Sequence, residues 1–365
     1  MKLRTRGIRK AALGISAGVL ALASALFQTT AAQAAGGWEN MTQPLPYGWK
    51  ADDAQVLALG PDSVVLMETE ETCPIGCEVS SHLWDRTGGS WVPKPPTPSD
   101  IYKFEAIAGT ATDDVWTFGG PDFGYPSAYH WNGTAWTRRG FTGPFFPHAG
   151  VATARGQLMA AGTQTVSGYS RPAVQRWTGT AWSPVTVLPA PAGKNVSVDA
   201  IHQAAPNDIW VVGETTVSSG TTEMYVARFN GTTWTQVAAP KLTAGFDYLR
   251  NQVAGTSTDL WITGKKSADG CHTSLRFNGT VWSTLPTCGG LAVTTVVKYR
   301  GEWIGGGDAS FGLRKWTGAA WTPLTAPAAG ATVRRLTAEP GDGALWATGS
   351  DANGIFASRL PGAVS

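Results

Sequence analysis

The hexapeptide WNGTAW at residues 131–136 has five relatives along the chain, and their spacing decides the fold. The relatives are WDRTGGSW at 84–91, WTGTAW at 177–182, FNGTTW at 229–234, FNGTVW at 277–282 and WTGAAW at 316–321. Each copy predicts a β-hairpin, because two strand ends flank a glycine-containing turn that tolerates positive φ. Successive copies begin 39 to 52 residues apart, which is typical of the blades of a propeller.

A second motif alternates with these hairpins. It reads DDVWTFGG at 113–120, NDIWVVGE at 207–214 and TDLWITGK at 258–265. Weaker copies are DSVVLMET at 62–69, GQLMAAGT at 156–163, GEWIGGGD at 301–308 and GALWATGS at 343–350. The acidic start indicates a tight turn, the β-branched and aromatic run indicates a strand, and the glycine ends it. An apolar run precedes each copy, so every unit contains four strands.

Seven such units are present, although the last one lacks an outer strand. The seventh unit begins at Ala331 and ends with IFASRL, whereas GGWENMTQPLP near the N-terminus has the pattern of an unpaired outer strand. We therefore predict an all-β, seven-bladed β-propeller. Its N-terminal strand pairs beside Phe356–Leu360 in the last blade, which closes the ring and removes an open sheet edge. Six blades is the alternative, if the degenerate first unit is not a full blade.

The first 34 residues have the pattern of a secretory signal peptide. A basic start, MKLRTRGIRK, precedes an apolar run over Ala11–Phe27 and a small-x-small site at Ala32–Ala34. We expect export, cleavage near Ala34, a propeller domain over 35–365 and no membrane span in the mature chain. Losing the five basic residues changes the net charge from +2 to −3. A slightly acidic protein lacks the basic patch that nucleic-acid binding needs.

The four cysteines predict disulfide bonds, because an exported chain with an even number of cysteines usually pairs them. Cys271 and Cys288 lie at equal distances from the FNGTVW turn, so we predict a cross-strand bond within one blade. Cys73 and Cys77 are predicted to close a small loop. We expect neither a metal site nor a cofactor.

The tryptophans are predicted to form the core. Of the 17 tryptophans, only Trp49 falls outside a repeat position or the closing strand. Large rings at repeating positions favour packing of sheet against sheet over a sugar-binding platform.

The alternation of W-N-G-T-x-W with D-x-W-x-x-G resembles secreted actinobacterial β-propeller proteins, and is distantly similar to kelch and galactose-oxidase-type propellers. The resemblance covers the whole mature chain and implies the fold far more than an activity. Related propellers also resemble lectin subunits of secreted toxin particles, which carry a further sugar-binding domain. This chain stops at Ser365, directly after the last blade, and so departs from that pattern.

Binding residues are expected on one face of the ring. The turns at the acidic motifs and at the hairpin motifs share one face and are short and repetitive, whereas the loops of the other face are long and all different. Variable loops on a fixed frame are where binding usually resides. Nine aromatic residues in these loops fit no repeat position and are the candidate contacts for a ligand or partner: Phe123, Tyr125, Phe141, Phe145, Phe146, Tyr169, Phe246, Tyr248 and Phe311.

No catalytic motif stands out, since the chain contains neither G-x-S-x-G nor H-E-x-x-H. We expect a non-enzymatic protein-interaction or assembly subunit. The alternative is a lectin for an extracellular or cell-wall glycan, including one within a secreted antibacterial toxin particle. A lectin with one site per blade would repeat its loop residues, and these loops do not repeat. A glycoside hydrolase is the third alternative, with its two carboxylates drawn from Glu68, Asp122, Glu214, Asp269, Asp308 and Asp351.

Overall fold

Seven antiparallel sheets make up the described part of the chain in a computed structural model. The structure describes residues 37–43, 53–60, 63–72, 78–95, 103–120, 126–218, 221–240, 243–245, 252–266, 271–289 and 291–362, so the predicted signal peptide lies outside it. The sheets are arranged as the blades of a β-propeller, which confirms the predicted fold class and the count of seven. The described residues contain one short 3-10 helix, Pro340–Asp342, and no helix that is long and apolar enough to cross a membrane.

The strands follow the chain order within each blade. Blade 1 contains β2 (Asp53–Gly60), β3 (Ser63–Thr72), β4 (Glu78–Thr87) and β5 (Ser90–Pro93). Blade 2 contains β6 (Lys103–Ala111), β7 (Asp114–Gly120), β8 (Ser127–Trp131) and β9 (Trp136–Gly140). Blade 3 contains β10 (Phe146–Ala154), β11 (Gln157–Val166), β12 (Tyr169–Arg176) and β13 (Thr186–Val187). Blade 4 contains β14 (Val196–Ala205), β15 (Asp208–Ser218), β16 (Thr221–Phe229) and β17 (Trp234–Gln236), and β18 (Thr243–Gly245) also pairs with β16.

The remaining strands complete the ring. Blade 5 contains β19 (Val253–Thr256), β20 (Asp259–Lys266), β21 (His272–Phe277) and β22 (Trp282–Thr287). Blade 6 contains β23 (Val293–Tyr299), β24 (Glu302–Gly307), β25 (Leu313–Trp316) and β26 (Trp321–Leu324). The seventh, composite blade contains β27 (Thr332–Ala338), β28 (Leu345–Asp351), β29 (Gly354–Leu360) and β1 (Glu39–Asn40).

The N-terminal strand closes the composite blade, as predicted. Glu39 pairs with Arg359 and Asn40 pairs with Ser358. Trp38 is buried, and its indole N–H donates to the Thr325 carbonyl at 3.0 Å. The closing segment, residues 38–43, therefore supplies the missing outer strand and buries an aromatic side chain.

The two alternating motifs meet at the joints between blades. Trp116 of blade 2 lies 5.2 Å from Trp177 and 6.0 Å from Trp182 of blade 3, measured between ring centroids. The same contact recurs at later joints, where Trp261 lies 5.4 Å from both Trp316 and Trp321. The second strand of one blade thus packs its ring against the hairpin rings of the next blade. This pairing explains why both motifs recur together, and it confirms that the repeated tryptophans belong to the core.

The motif aspartates (Asp114, Asp208 and Asp259) begin the second strands and tie them to the third strands. Asp208 accepts from the Arg228 guanidinium at 2.6 and 3.0 Å, while that guanidinium lies 4.9 Å above the Trp210 ring. Burial would raise the pKa of Asp208, but the hydrogen bonds from Arg228 and Ser257 outweigh it and lower the pKa. His130 and Arg276 bond to Asp114 and Asp259 in the same way.

The predicted disulfide between Cys271 and Cys288 is present, 17 residues apart in sequence. It flanks the hairpin of β21 and β22, in which Phe277 pairs with Trp282. The predicted bond between Cys73 and Cys77 lies outside the described residues.

Candidate functional site: the loop face and the channel mouth

The ring has two unlike ends. The turn face carries the tight turns between first and second strands and between third and fourth strands. The loop face carries the connections between second and third strands and between successive blades. Because every blade repeats this topology, residues at the loop-face ends of the strands surround one common mouth.

The nine aromatic candidates separate into three groups. Phe123, Tyr125, Phe246 and Tyr248 lie outside the described residues. Phe145 is 0% exposed and Phe311 is 3% exposed. The ring centroid of the half-buried Phe141 lies 4.6 Å from that of Trp182. All three rings pack against the core, and Phe145 and Phe311 present almost no surface to a partner. Phe146 is 40% exposed and Tyr169 is 41% exposed, so two of the nine remain as described surface contacts.

Tyr169 projects from a long hairpin of blade 3. Strands β11 and β12 pair as far as Val166 and Tyr169, and the turn between them contains Ser167 and Gly168 at φ 50° and 82°. Arg171 donates to the carbonyl of Ala190 at 2.7 Å, which fixes the connector to blade 4 against this hairpin. The exposed ring is therefore carried by a well-braced element.

The innermost strands of five blades have an irregular register near the loop face. An extra residue interrupts the pairing of β6, β10, β14, β23 and β27 with their neighbours. We call these extra residues the mouth residues: Glu105, His148, Asp199, Thr294 and Arg334. Bulges of this kind re-aim side chains and are frequent beside functional sites.

The mouth residues differ in exposure. Arg334 is exposed, Glu105, His148 and Asp199 are half-buried, and Thr294 is buried. An innermost strand has neighbouring blades on both sides, so its side chains can reach solvent only through the central channel or at its rim. The exposed Arg334 side chain therefore lies in the mouth of the channel.

Bonds that cross between blades hold this backbone in place. Gln252 of blade 5 donates its amide N–H to the carbonyl of Arg334 in the composite blade at 3.2 Å. The Thr294 hydroxyl donates to the carbonyl of Val333 at 2.8 Å. The guanidinium of Arg334 makes no hydrogen bond or ion pair with any described residue, whereas neighbouring Arg335 pairs with Asp53 at 3.1 Å. Among the described residues, the mouth thus presents a cation, Arg334, whose backbone is fixed and whose guanidinium has no partner.

The four described carboxylates among the hydrolase candidates lie in or directly after the second strands of four different blades. Asp308 accepts the backbone N–H groups of Ser310 and Phe311, and Asp351 accepts that of Asn353, so both stabilise their own turns. Glu68 is buried in blade 1. Asp122 and Asp269 lie outside the described residues, and Glu214 is half-buried in β15. Within the described residues no group of three or more His, Cys, Asp or Glu side chains could hold a metal ion.

Sequence reasoning missed the mouth residues, although a signal for them exists. Opposite each bulge lies the glycine that ends the D-x-W-x-x-G motif. A Cβ on Gly213 would lie 2.0 Å from the Ser197 carbonyl oxygen, and one on Gly349 would lie 1.9 Å from that of Thr332. The glycine accommodates the distorted inner strand, so the repeated glycine marks the position of the bulge.

The comparisons with known proteins support the fold alone. No protein-family model and no curated protein sequence matches the chain. Among solved structures, the mitotic checkpoint complex matches with a TM-score of 0.53 at 12% identity, covering 87% of this chain and 94% of that chain. A structure of YCF48 bound to D1 peptide matches with a TM-score of 0.51 at 14% identity, covering 87% and 99%. The Cps50 (Swd1) propeller domain of Myceliophteria thermophila matches with 0.50 at 10% identity, covering 88% and 99%.

Proposed function

We propose that the chain is a secreted, non-enzymatic binding module that docks one protein partner on its loop face, around the mouth of the channel. The observation that carries this proposal is the chemical difference among the mouth residues, which are glutamate, histidine, aspartate, threonine and arginine. A ring with seven equivalent ligand sites would repeat one chemistry. Five different side chains at equivalent positions favour a single asymmetric site.

The two exposed aromatic residues supply the apolar part of this surface. Phe146 begins an innermost strand of blade 3 and Tyr169 lies on the hairpin of the same blade. Aromatic and arginine side chains are the residues that contribute most to protein interfaces. Phe146, Tyr169 and Arg334 therefore form the proposed contact set. A propeller of similar fold has been solved with a bound peptide, which agrees with a peptide-like occupant.

A single glycan site is the second candidate, because an exposed phenyl or phenol ring can also stack on the apolar face of a sugar. Either partner would be extracellular if the N-terminal segment directs export. An assembly subunit of a secreted particle is one form of the protein-partner proposal.

The test is affinity capture of the tagged mature chain from the culture fluid of a producing host, followed by cross-linking and mass spectrometry. We expect a stoichiometric secreted protein with cross-links to the loop face, and loss of capture in Phe146→Ala and Arg334→Glu. Val281→Ala is the matched control, since Val281 is 59% exposed in a turn-face hairpin. Glycan-array binding that Phe146→Ala abolishes, without a captured protein, would replace the protein partner by a sugar. Cross-links confined to the turn face would overturn the proposed surface.

A further inference from the structure

Blade 1 lacks the glycine that ends the second-strand motif in the sequence of the other six blades. The residue opposite Ala54 in blade 1 is Glu68, whereas the residues opposite Val198 and Val333 in blades 4 and 7 are glycines. At those glycines a side chain would collide with the inner strand. The pairing of β2 with β3 runs without a bulge from Asp53 to Ala58. The regular inner strand leaves room for a side chain, and the sequence places a carboxylate there.

The Glu68 side chain points into the joint between blade 1 and the composite blade. It is 0% exposed. One carboxylate oxygen accepts the backbone N–H of Gln43 at 3.4 Å, while the other has no hydrogen-bond partner. Gln43 is the last residue of the closing segment. The rest of this segment bonds to the composite blade, where the Met41 N–H donates to the Ala357 carbonyl at 2.8 Å. The closing segment is therefore held between Ala357 on one side and Glu68 on the other.

No cation neutralises Glu68 among the described residues. Ala54 on β2 and His82 on β4 face it across the two ladders, and the neighbouring carboxylate of Asp53 pairs with Arg335. On the closing segment, Glu39 pairs with Arg359 of β29. The indole nitrogen of Trp84 completes no hydrogen bond. An ionised Glu68 would be a buried charge with one weak hydrogen bond, which is costly.

We propose that Glu68 makes this joint a pH-controlled latch, closed while the carboxyl group carries its proton and loosened when it ionises. A protonated carboxyl is neutral and can be buried at small cost, whereas a carboxylate in the same place favours separation of the closing segment from blade 1. This joint differs from the other six because the outer strand that leads into blade 1, β1, is attached to the rest of its own blade by strand pairing and not by the chain. The proposal is independent of the binding function proposed above.

Burial raises the pKa of Glu68 from 4.5 to about 7, and the hydrogen bond from the Gln43 N–H offsets only part of that rise. A raised pKa of an acid means that the closed form retains its proton after the open form has lost it. The latch is therefore tightest below pH 4.5, weakens as the pH rises from 4.5 to about 7, and changes no further above that. The difference between a pKa of 4.5 in the open form and about 7 in the closed form limits the change in the equilibrium constant for opening to roughly 300-fold.

The test is hydrogen–deuterium exchange of the mature protein between pH 5.5 and pH 8.5, corrected for intrinsic exchange rates. In the wild type we expect protection of the peptide that contains Met41 and Gln43 to fall by up to about 30-fold over this range and to level off above pH 7, because the remaining part of the change lies below pH 5.5. Glu68→Gln should keep the same protection at every pH. Glu302→Gln is the matched control, because Glu302 is an exposed carboxylate on blade 6 that pairs with Lys315, and it should behave like the wild type.

Two outcomes would overturn the latch. One is protection in the wild type that does not change with pH. The other is a pH-dependent loss that persists in Glu68→Gln and disappears in His82→Asn, which would make the imidazole opposite Glu68 the sensor. Should Glu68→Gln not fold, Glu68→Met removes the ionisable group at similar volume, and the wild-type titration tests the pH dependence without any variant.

Discussion

Adding one methyl group to Gly213 should destabilise the propeller severely. Gly213 lies on the second strand of blade 4 opposite Val198, beside the bulge at Asp199. A Cβ at Gly213 would lie 2.0 Å from the carbonyl oxygen of Ser197 and 2.9 Å from its carbonyl carbon. Both atoms belong to the backbone of an innermost strand, so no side-chain rotation relieves the clash.

The expected cost follows from the displacement that the methyl group requires. Contacts of this kind are not seen below 3.0 Å, so β14 and β15 must separate by about 1 Å at Gly213. Such a shift lengthens the neighbouring ladder hydrogen bonds and disturbs the packing of Val198 and Val212, which are 3% and 0% exposed. Overpacking of a core costs about 1–3 kcal/mol. Because the obstacle is backbone, we expect Gly213→Ala to lose about 3 kcal/mol.

Urea unfolding at constant m-value measures this loss, and Gly140→Ala is the matched control. Gly140 ends β9, has nothing within 4 Å of an added Cβ, and has no positive φ. Alanine there should be neutral or should stabilise by about 0.4–1 kcal/mol, because it restricts the unfolded chain. Equal midpoints for Gly213→Ala and Gly140→Ala would refute the steric reasoning, and with it the explanation of the repeated glycine.

Three further outcomes follow from the framework between and within blades. Replacing Cys271 and Cys288 by serine should lower the free energy of unfolding by about 3 kcal/mol, from the entropy of a loop of 17 residues, and urea unfolding with and without reductant checks it. Asp208→Asn should cost about 2 kcal/mol, because it breaks a largely buried pair whose Arg228 partner is one-third exposed, whereas Asp113→Asn on an exposed pair should leave the midpoint unchanged. The pKa values of the three motif aspartates lie below 3.8, so the stability they confer is present above that pH and is lost as the pH falls further; thermal unfolding from pH 5 to pH 2 should show a steep decline that Asp208→Asn reduces.

The sequence carried most of the fold because each blade repeats two short, physically informative motifs. The glycine turns of the hairpins and the strand pattern around Trp116, Trp210 and Trp261 predicted seven four-stranded units. The unpaired pattern near Trp38 predicted the composite blade, and the symmetric spacing of Cys271 and Cys288 predicted their bond. All of these features are local or periodic, and local geometry can be read from one sequence.

Side-chain direction in the loops could not be read in the same way. Phe145 and Phe146 are neighbours in sequence, yet Phe145 is fully buried and Phe146 is 40% exposed. Phe311 fits no repeat position, but it packs 5.6 Å from Trp321. Loops that do not repeat offer no period from which an inward or outward side can be assigned. The predicted contact set was therefore a list of aromatic residues, from which the structure separates loop anchors and surface.

The role of the motif aspartates also required the structure. An acidic residue before a strand predicts a turn, and Asp351 serves in that way. Asp208 instead bonds to Arg228, which lies directly opposite Trp210 on the next strand. Recognising this arrangement requires the strand register, since the aspartate and arginine are 20 residues apart. Arg228 and Arg276 stand at equivalent positions of their blades, opposite Trp210 and Trp261. Once the propeller fold is assumed, aligning the strands of each blade would therefore identify them.

Blade 1 departs from the D-x-W-x-x-G motif at its tryptophan position and at its glycine position. Val65 occupies the position that Trp116 occupies in blade 2, so the hairpin ring of Trp131 has no tryptophan of blade 1 to pack against. The Lys94 ammonium lies 4.7 Å above the Trp131 ring instead. Lys94 is held there by Asp85 and the Thr112 carbonyl. Glu68 stands at the glycine position of the same strand. At the joint with blade 2, the buried Lys94 ammonium thus takes the place of the missing ring. At the joint with the composite blade, the Glu68 carboxylate has no cation beside it among the described residues. The first substitution is therefore compensated within the blade, whereas the second leaves a buried acid whose ionisation opposes packing of the closing segment against blade 1.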